Sequence, residues 1–99
     1  MHSPFVYDFY EEVLDKMIHE NWREELNLRL NIFLSNKKNV FHDDDSVIIK
    51  YDIHRSKENE RNWNDMINDE KTKLSIDCYH FGLIFIMKRK EKQHFILEF

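Results

Sequence analysis

The sequence predicts an α+β fold in which two N-terminal helices precede a β-α-β-β-β unit that forms a small mixed sheet. Apolar residues recur at helical spacing in the first third of the chain. In the second half they alternate with polar residues or form short continuous runs, as in strands. One helical segment, which starts after Ser56, separates the first of these strands from the rest. Helices and strands segregated in this way are typical of the α+β class.

The first helix is predicted from about Pro4 to His19. Ser3 is a favourable N-cap, and Pro4 suits the first helical position because its missing N–H has no helical partner to lose. Apolar side chains then recur every four residues, at Phe5, Phe9, Val13 and Met17. This stripe is typical of a helix that packs one face into a core.

A second helix is predicted from about Trp22 to Leu34. Leu26 and Leu30 share one face, and either Phe33 or Leu34 continues it. The polar run 35–39 ends the helix.

The second half predicts one crossover followed by an antiparallel meander. The β-branched residues before Tyr51 indicate a buried strand, and the helix after Ser56 ends at Asn68 and Asp69. Three further strands follow, with a turn expected at residues 79–82. They are centred on Leu74 to Cys78, Leu83 to Met87 and Phe95 to Phe99.

Nine apolar side chains are expected to be largely buried in the core. These are Phe9, Val13, Leu30, Val47, Ile49, Trp63, Ile76, Leu83 and Phe85.

The 99 residues are expected to form a single domain, with a helical head at 1–39 and a β-α-β-β-β tail at 46–99. A net charge of −4 disfavours sequence-independent nucleic-acid binding, which needs basic side chains to neutralise phosphates. No apolar run approaches the roughly 18–20 residues that span a bilayer. The single cysteine, Cys78, excludes an internal disulfide and is expected to be a core thiol. We expect a cytoplasmic protein with no membrane partner.

A compact acidic loop is the first place where the sequence offers metal ligands. It consists of His42, Asp43, Asp44 and Asp45. Carboxylates suit Mg²⁺, Ca²⁺ or Mn²⁺, and imidazole favours Zn²⁺ or Ni²⁺. Asp52 lies at the other end of the following strand, roughly 20 Å away at about 3.3 Å per residue. One ion cannot bridge that distance, so we interpret the loop as a solvated segment rather than a metal site.

Asp52 and His54 are the only catalytic candidates that the pattern suggests. A carboxylate next to an imidazole can orient it as a general base. The competing interpretation, which we favour, is that both residues line one wall of a cleft and that the chain lacks the other wall.

Two blocks of the chain contain recognisable short motifs: HSPFVYDF at 2–9 in the first block, and YDIHRS at 51–56, SIDCYHFGLIF at 75–85 and KQHF at 92–95 in the second. Together these blocks resemble a class I S-adenosylmethionine-dependent methyltransferase family of Bacteroidetes. Residues 2–9 read HSPFVYDF, similar to the family's HSPF(V/I)(F/Y)DF. Residues 51–56 read YDIHRS where the family has DDIHWS, so Tyr51 and Arg55 depart from it. Glu58, Glu60 and Trp63 match an E-M-E-x-A-W pattern. The segments SIDCYHFGLIF and KQHF resemble the TIDLF-x-x-G-(I/L)-VFF and final-strand motifs.

The resemblance implies that the tail corresponds to the fifth strand, its following helix and the last antiparallel strands of a Rossmann-like methyltransferase sheet. Cofactor binding in such a fold needs a glycine-rich turn after the first strand. The only glycine here is Gly82, in the tail, and the family's cofactor-binding core is missing. S-Adenosylmethionine is therefore implied by the resemblance alone, and no bound cofactor is expected.

Three functions remain open from the sequence. The first is a truncated methyltransferase-like protein without methyl transfer, either a relic or a small association domain that pairs as a homodimer through the strand that lost its neighbour. The second is a methyltransferase or metal-dependent enzyme completed across an oligomer, using Asp52, His54 and the acidic loop. The third is a regulatory partner of a full-length methyltransferase relative.

Overall fold

Three α-helices and a four-stranded mixed sheet are present in this computed structural model, which describes residues 4–17, 21–37, 45–88 and 91–97. The predicted α+β class is confirmed. The chain divides into two units, Met1–His42 and Asp43–Phe99. Among the described helices, none combines the length and apolar character needed to cross a bilayer.

The first unit contains α1 (Pro4–Glu12), a short 3₁₀ helix (Leu14–Lys16) and α2 (Trp22–Asn36). The prediction that α1 continues to His19 is wrong, because the α-helix ends at Glu12. Val13 stays in the right-handed helical region, at φ −115° and ψ −65°, and the chain then tightens into the 3₁₀ turn. This change of pitch buries the adjacent side chains of Val13 and Leu14 together. Ser3 and His19 lie outside the described residues.

Aromatic packing joins the two helices of this unit. The ring of Phe33 lies 5.2 Å from that of Phe5 and 5.8 Å from that of Phe9, both edge to face. Leu26 and Leu30 are buried on the same side of α2 as Phe33. The apolar stripe of α1 is therefore core, as expected, and Phe33 rather than Leu34 completes the buried face of α2.

The second unit contains the sheet and α3. Its elements are β1 (Ser46–Tyr51), α3 (Lys57–Asn68), β2 (Thr72–Asp77), β3 (Phe81–Ile86) and β4 (Gln93–Ile96). Ser56 caps α3 as predicted, since its Oγ accepts a hydrogen bond from the N–H of Asn59 at 3.1 Å.

The strand order is β1-β3-β2-β4, so the predicted antiparallel meander is wrong. β3 is antiparallel to both β1 and β2, whereas β4 runs parallel to β2 on its far side. The outer side of β3 is already occupied by β1. The last strand must therefore cross to the free side of β2, where it is parallel to β2.

The turn between β2 and β3 begins at Cys78, one residue before the predicted range 79–82. The N–H of Cys78 donates to the carbonyl of Phe81 at 2.9 Å, and Tyr79 takes a positive φ of 66°. Gly82 lies within β3 instead, and its φ is not positive. Its role is therefore not to form the turn.

The two faces of the sheet bury different sets of side chains. On the face that carries α3, Ile53, Trp63 and Ile84 form a buried cluster. The opposite face follows from strand alternation and cross-strand register. Its buried members are Leu74, Ile76, Phe81, Leu83 and Phe85.

Seven of the nine predicted core residues are buried, and two residues of β1 are not. Val47 and Ile49 are half-buried, although the sequence predicts a buried strand. The reason is position: β1 is an edge strand with β3 on one side only. A short run of β-branched residues indicates a strand but does not distinguish the centre of a sheet from its edge.

Candidate functional site

A tight turn after β1 places the two residues that the sequence suggested as catalytic. Asp52 adopts a left-handed φ of 57°, and its N–H donates to the carbonyl of His80 at 2.9 Å. Its own carbonyl accepts the side-chain amide of Asn59 at 2.9 Å and the N–H of Arg55 at 3.2 Å. Ile53 is fully buried and anchors the turn. These contacts hold the backbone from which the His54 side chain projects.

His54 is hydrogen-bonded through both ring nitrogens. Its Nε2 lies 2.6 Å from Oδ2 of Asp77, at the end of β2. Its Nδ1 lies 2.9 Å from Oε2 of Glu60, in the first turn of α3. The carboxylate of Asp52 lies 3.9 Å from Arg55 Nη1. The structure thus gives His54 two carboxylate partners, Glu60 and Asp77, that the sequence did not suggest.

Asp77 is positioned by the β2–β3 turn. It faces the side of β2 opposite Ile76, as strand alternation predicts, but it is only 7% exposed. Its Oδ1 accepts the N–H of Tyr79 at 2.8 Å, while its Oδ2 contacts His54. A buried carboxylate needs such partners, because an unpaired buried charge is strongly destabilising.

The electrostatics favour the protonated form of His54. Burial by itself lowers the pKa of His54, but hydrogen bonds to Glu60 and Asp77, together with attraction to both charges, outweigh burial and raise the pKa above its ordinary value of 6.5. Both N–H groups of an imidazolium donate, which matches the two contacts. In this state His54 has no free lone pair with which to accept a proton.

A second histidine lies close to the same carboxylate. His94 on β4 pairs with Ser75 on β2, with 2.6 Å between Nδ1 and the serine Oγ. Burial lowers the pKa of His94, and the charge of Asp77 opposes that effect. Ser75 is 1% exposed, so it is not accessible as a nucleophile.

A shallow cleft opens beside His54. Its walls are Asp52, His54, Arg55, Tyr79 and His80. The Tyr79 ring lies 5.5 Å from the His54 ring and 5.1 Å from the His80 ring, and Tyr79 is 63% exposed. The cleft can present an aromatic ring and charged groups to a partner. The cleft is too open to enclose a small molecule.

The metal hypothesis falls mostly on residues outside the described part of the chain. His42, Asp43 and Asp44 lie there, while Asp45 immediately precedes β1 and Asp52 immediately follows it. These two aspartates are thus at opposite ends of one strand. Within the described ranges, no group of three or more His, Cys, Asp or Glu side chains is arranged to hold a metal ion.

Cys78 is buried and free of disulfide bonding. Burial raises the pKa of its thiol, and the neighbouring charge of Asp77 adds to the rise. A thiol held protonated is a poor nucleophile. Its predicted place in the core is confirmed.

Sequence reasoning missed the partners of His54. In the sequence, Glu60 stands out only as a motif match, and Asp77 only as part of the segment SIDCYHFGLIF. Asp77 is 23 residues away from His54 along the chain, and no local pattern joins them.

No protein-family profile matches this chain, and comparisons with curated proteins and with solved structures gave no match either.

Proposed function

We propose that this chain is a methyltransferase-like association domain without methyl transfer of its own, which pairs with a second copy through β1. The observation that carries this proposal is the position of β1 at the edge of the sheet. One side of the strand is paired with β3 along its whole length. In the described residues, no strand pairs with its other side.

The two edges of the sheet differ in how well they are suited to association. β4 is four residues long, and short edge strands are a common protection against unwanted pairing. β1 is six residues long and contains three consecutive β-branched apolar residues, Val47, Ile48 and Ile49. Ile48 is 40% exposed. A long apolar edge favours pairing with another strand.

An apolar cleft beside α3 extends this surface. Ile48, Met66, Ile84 and Ile86 contribute to its lining, and the polar residues Asp69 and Lys71 lie at its rim. α3 covers β2 and β3 but leaves Ile48 partly open. A partner that continues the sheet past β1 can bury this cleft as well as satisfy the strand edge.

A second copy of the chain fits this edge by symmetry. Antiparallel pairing about a two-fold axis perpendicular to the sheet places identical residues opposite each other at the axis. With Ile48 at the axis, Ser46 lies opposite Lys50 and Val47 lies opposite Ile49. Each pair shares a face of the sheet, so the apolar and polar sides of both copies remain aligned.

The topology supports a relationship with the methyltransferase tail. β1 and β2 are both antiparallel to β3, so they are parallel to each other and are joined through α3. The resemblance implied a fifth strand, its following helix and the last antiparallel strands, and β1, α3 and the antiparallel strand β3 fit that order. β4 contains most of the segment that resembles the family's final strand, but it runs parallel to β2, whereas an antiparallel strand was expected.

The geometry of His54 favours association over the enzyme alternative. Both ring nitrogens are occupied by carboxylates, those of Glu60 and Asp77. In an enzyme completed across an oligomer, His54 would have to lose one of these two carboxylate contacts before its ring could accept a proton. The third alternative, docking onto a full-length relative, would use the same edge of β1.

The test is the molar mass in light scattering across about a hundredfold dilution, since dimerisation obeys mass action. We expect wild-type mass to fall from dimer to monomer. Ile48→Lys should be monomeric throughout, because a charge on the edge prevents pairing. Ile96→Lys is the matched control: it places the same charge on the opposite edge, at a side chain that is 72% exposed, and should behave as wild type.

A wild-type chain that remains monomeric at every concentration contradicts the homodimer. Equal loss of association in Ile48→Lys and Ile96→Lys would assign the effect to net charge rather than to β1. A monomer that binds a full-length methyltransferase relative, and loses that binding in Ile48→Lys, would favour the regulatory alternative.

A further inference from the structure

We propose that His54 is a pH-dependent clamp that fastens the first turn of α3 to the end of β2 through Glu60 and Asp77. The three groups belong to three separate segments: the turn after β1, the helix and the strand. One imidazole joins them, with contacts of 2.9 Å to Glu60 and 2.6 Å to Asp77. None of the three residues belongs to β1, so the clamp involves a different part of the unit from the proposed association edge.

The two carboxylates differ in burial, and this difference decides which contact is lost. The side chain of Asp77 is 10% exposed and that of Glu60 is 48% exposed. A neutral imidazole has one N–H and can donate to only one of them. Asp77 has little access to water and loses more if its donor is removed. Glu60 can be solvated instead.

Deprotonation therefore leaves the proton on Nε2, facing Asp77. The lone pair of Nδ1 then faces the carboxylate of Glu60, and the two acceptors repel each other. The first turn of α3 loses its link to the sheet at this point, while the Asp77 contact keeps the β2–β3 turn in place. The cleft beside Tyr79 becomes more open on the Glu60 side.

Other charged and titratable groups surround the clamp. Asp52, Arg55, Tyr79 and His80 line the cleft around His54. His94 approaches Asp77 from β4 and interacts with its charge. The proposed transition therefore has to be followed at His54 itself rather than through overall stability alone.

The direction of the pH dependence follows from the raised pKa of His54. In the unfolded chain His54 titrates near its ordinary value of 6.5. The stabilisation from the clamp is thus fully present below about 6.5 and is lost as the pH rises through the higher folded-state value.

The experiment compares Glu60→Gln with Glu58→Gln by NMR titration of the His54 ring, using long-range ¹H–¹⁵N correlations to identify the protonated nitrogen. Both variants remove one negative charge from the first turn of α3, but only Glu60 contacts His54. We expect wild-type His54 to titrate above the ordinary histidine value and to keep its proton on Nε2 in the neutral form. Glu60→Gln should shift the titration midpoint downward, and Glu58→Gln should shift it less.

Three results would overturn the clamp. One is a wild-type His54 that titrates at or below the ordinary histidine value. The second is a neutral form protonated at Nδ1, which would mean that Glu60 rather than Asp77 retains the contact. The third is an equal shift in Glu58→Gln and Glu60→Gln, which would reduce the effect to general charge near the helix terminus.

Discussion

Gly82 lies directly against the indole ring of Trp63, so closely that a Cβ at position 82 would come within 2.3 Å of Cη2. Trp63 is 1% exposed and belongs to the buried cluster between α3 and the sheet. The glycine is required for close approach of the helix side chain to the strand backbone, and not for an unusual φ. The single glycine of the chain therefore serves to pack the strand against Trp63.

Gly82→Ala is expected to destabilise the fold by about 1–3 kcal/mol, because the added methyl group overpacks a rigid buried ring. Urea denaturation measures the loss. The double variant Trp63→Leu/Gly82→Ala is the control, since removal of the indole makes room for the methyl group. Its total loss should be smaller than the sum of the two single losses. A neutral Gly82→Ala would contradict the close contact.

S-Adenosylmethionine is expected not to bind detectably. A Rossmann-like site for this cofactor needs glycine where the backbone approaches the ligand. The sequence contains one glycine, and Trp63 occupies the space beside it. Isothermal titration calorimetry of the purified chain provides the measurement. A saturable isotherm in the micromolar range would overturn the non-catalytic proposal and favour the enzyme alternative.

Phe9→Ala and Phe85→Ala are each expected to cost about 3–5 kcal/mol of unfolding free energy, the usual range for a large aromatic removed from a core. Both side chains are fully buried, one in each unit of the chain. Such a loss is comparable with the whole stability of a small domain. Tyr10→Ala, at an exposed position of α1, is the control and should change the urea midpoint little. A neutral Phe9→Ala would show that α1 does not contribute to the cooperative core.

His94 is expected to make the protein less stable in acid. Burial lowers the pKa of His94 in the folded state, so the unfolded chain takes up the proton first, starting near pH 6.5. The stability contributed by the neutral ring is present above that value and is lost as the pH falls through the lower folded-state pKa. The effect runs opposite to that of His54, although both histidines lie near Asp77.

Urea midpoints measured between neutral and mildly acidic pH test this behaviour. His94→Gln should reduce the loss of stability on acidification, because the buried titrating ring is gone. His80→Gln, at an exposed position of the β2–β3 turn, distinguishes this effect from loss of any imidazole. If His94→Gln loses as much stability as wild type over the same range, the buried ring is not responsible.

The sequence by itself determined the class, the number and order of the helices and strands, and most of the core. Local signals were sufficient for this: helical spacing around Phe9 and Leu30, the Ser56 cap, and strand alternation at Ile76. These features depend on neighbours within a few residues, so they are readable from the chain.

Only the tertiary structure decided the strand order, the partners of His54 and the role of Gly82. Each depends on residues far apart in the chain: β1 occupies the free side of β3, Asp77 meets His54, and Trp63 reaches across to Gly82. Alternation assigns a side chain to a face but does not say which strand or helix lies next to it. The same limit explains why Val47 and Ile49 were expected to be buried. Their pattern is that of a core strand, and only the completed sheet places that strand at an edge.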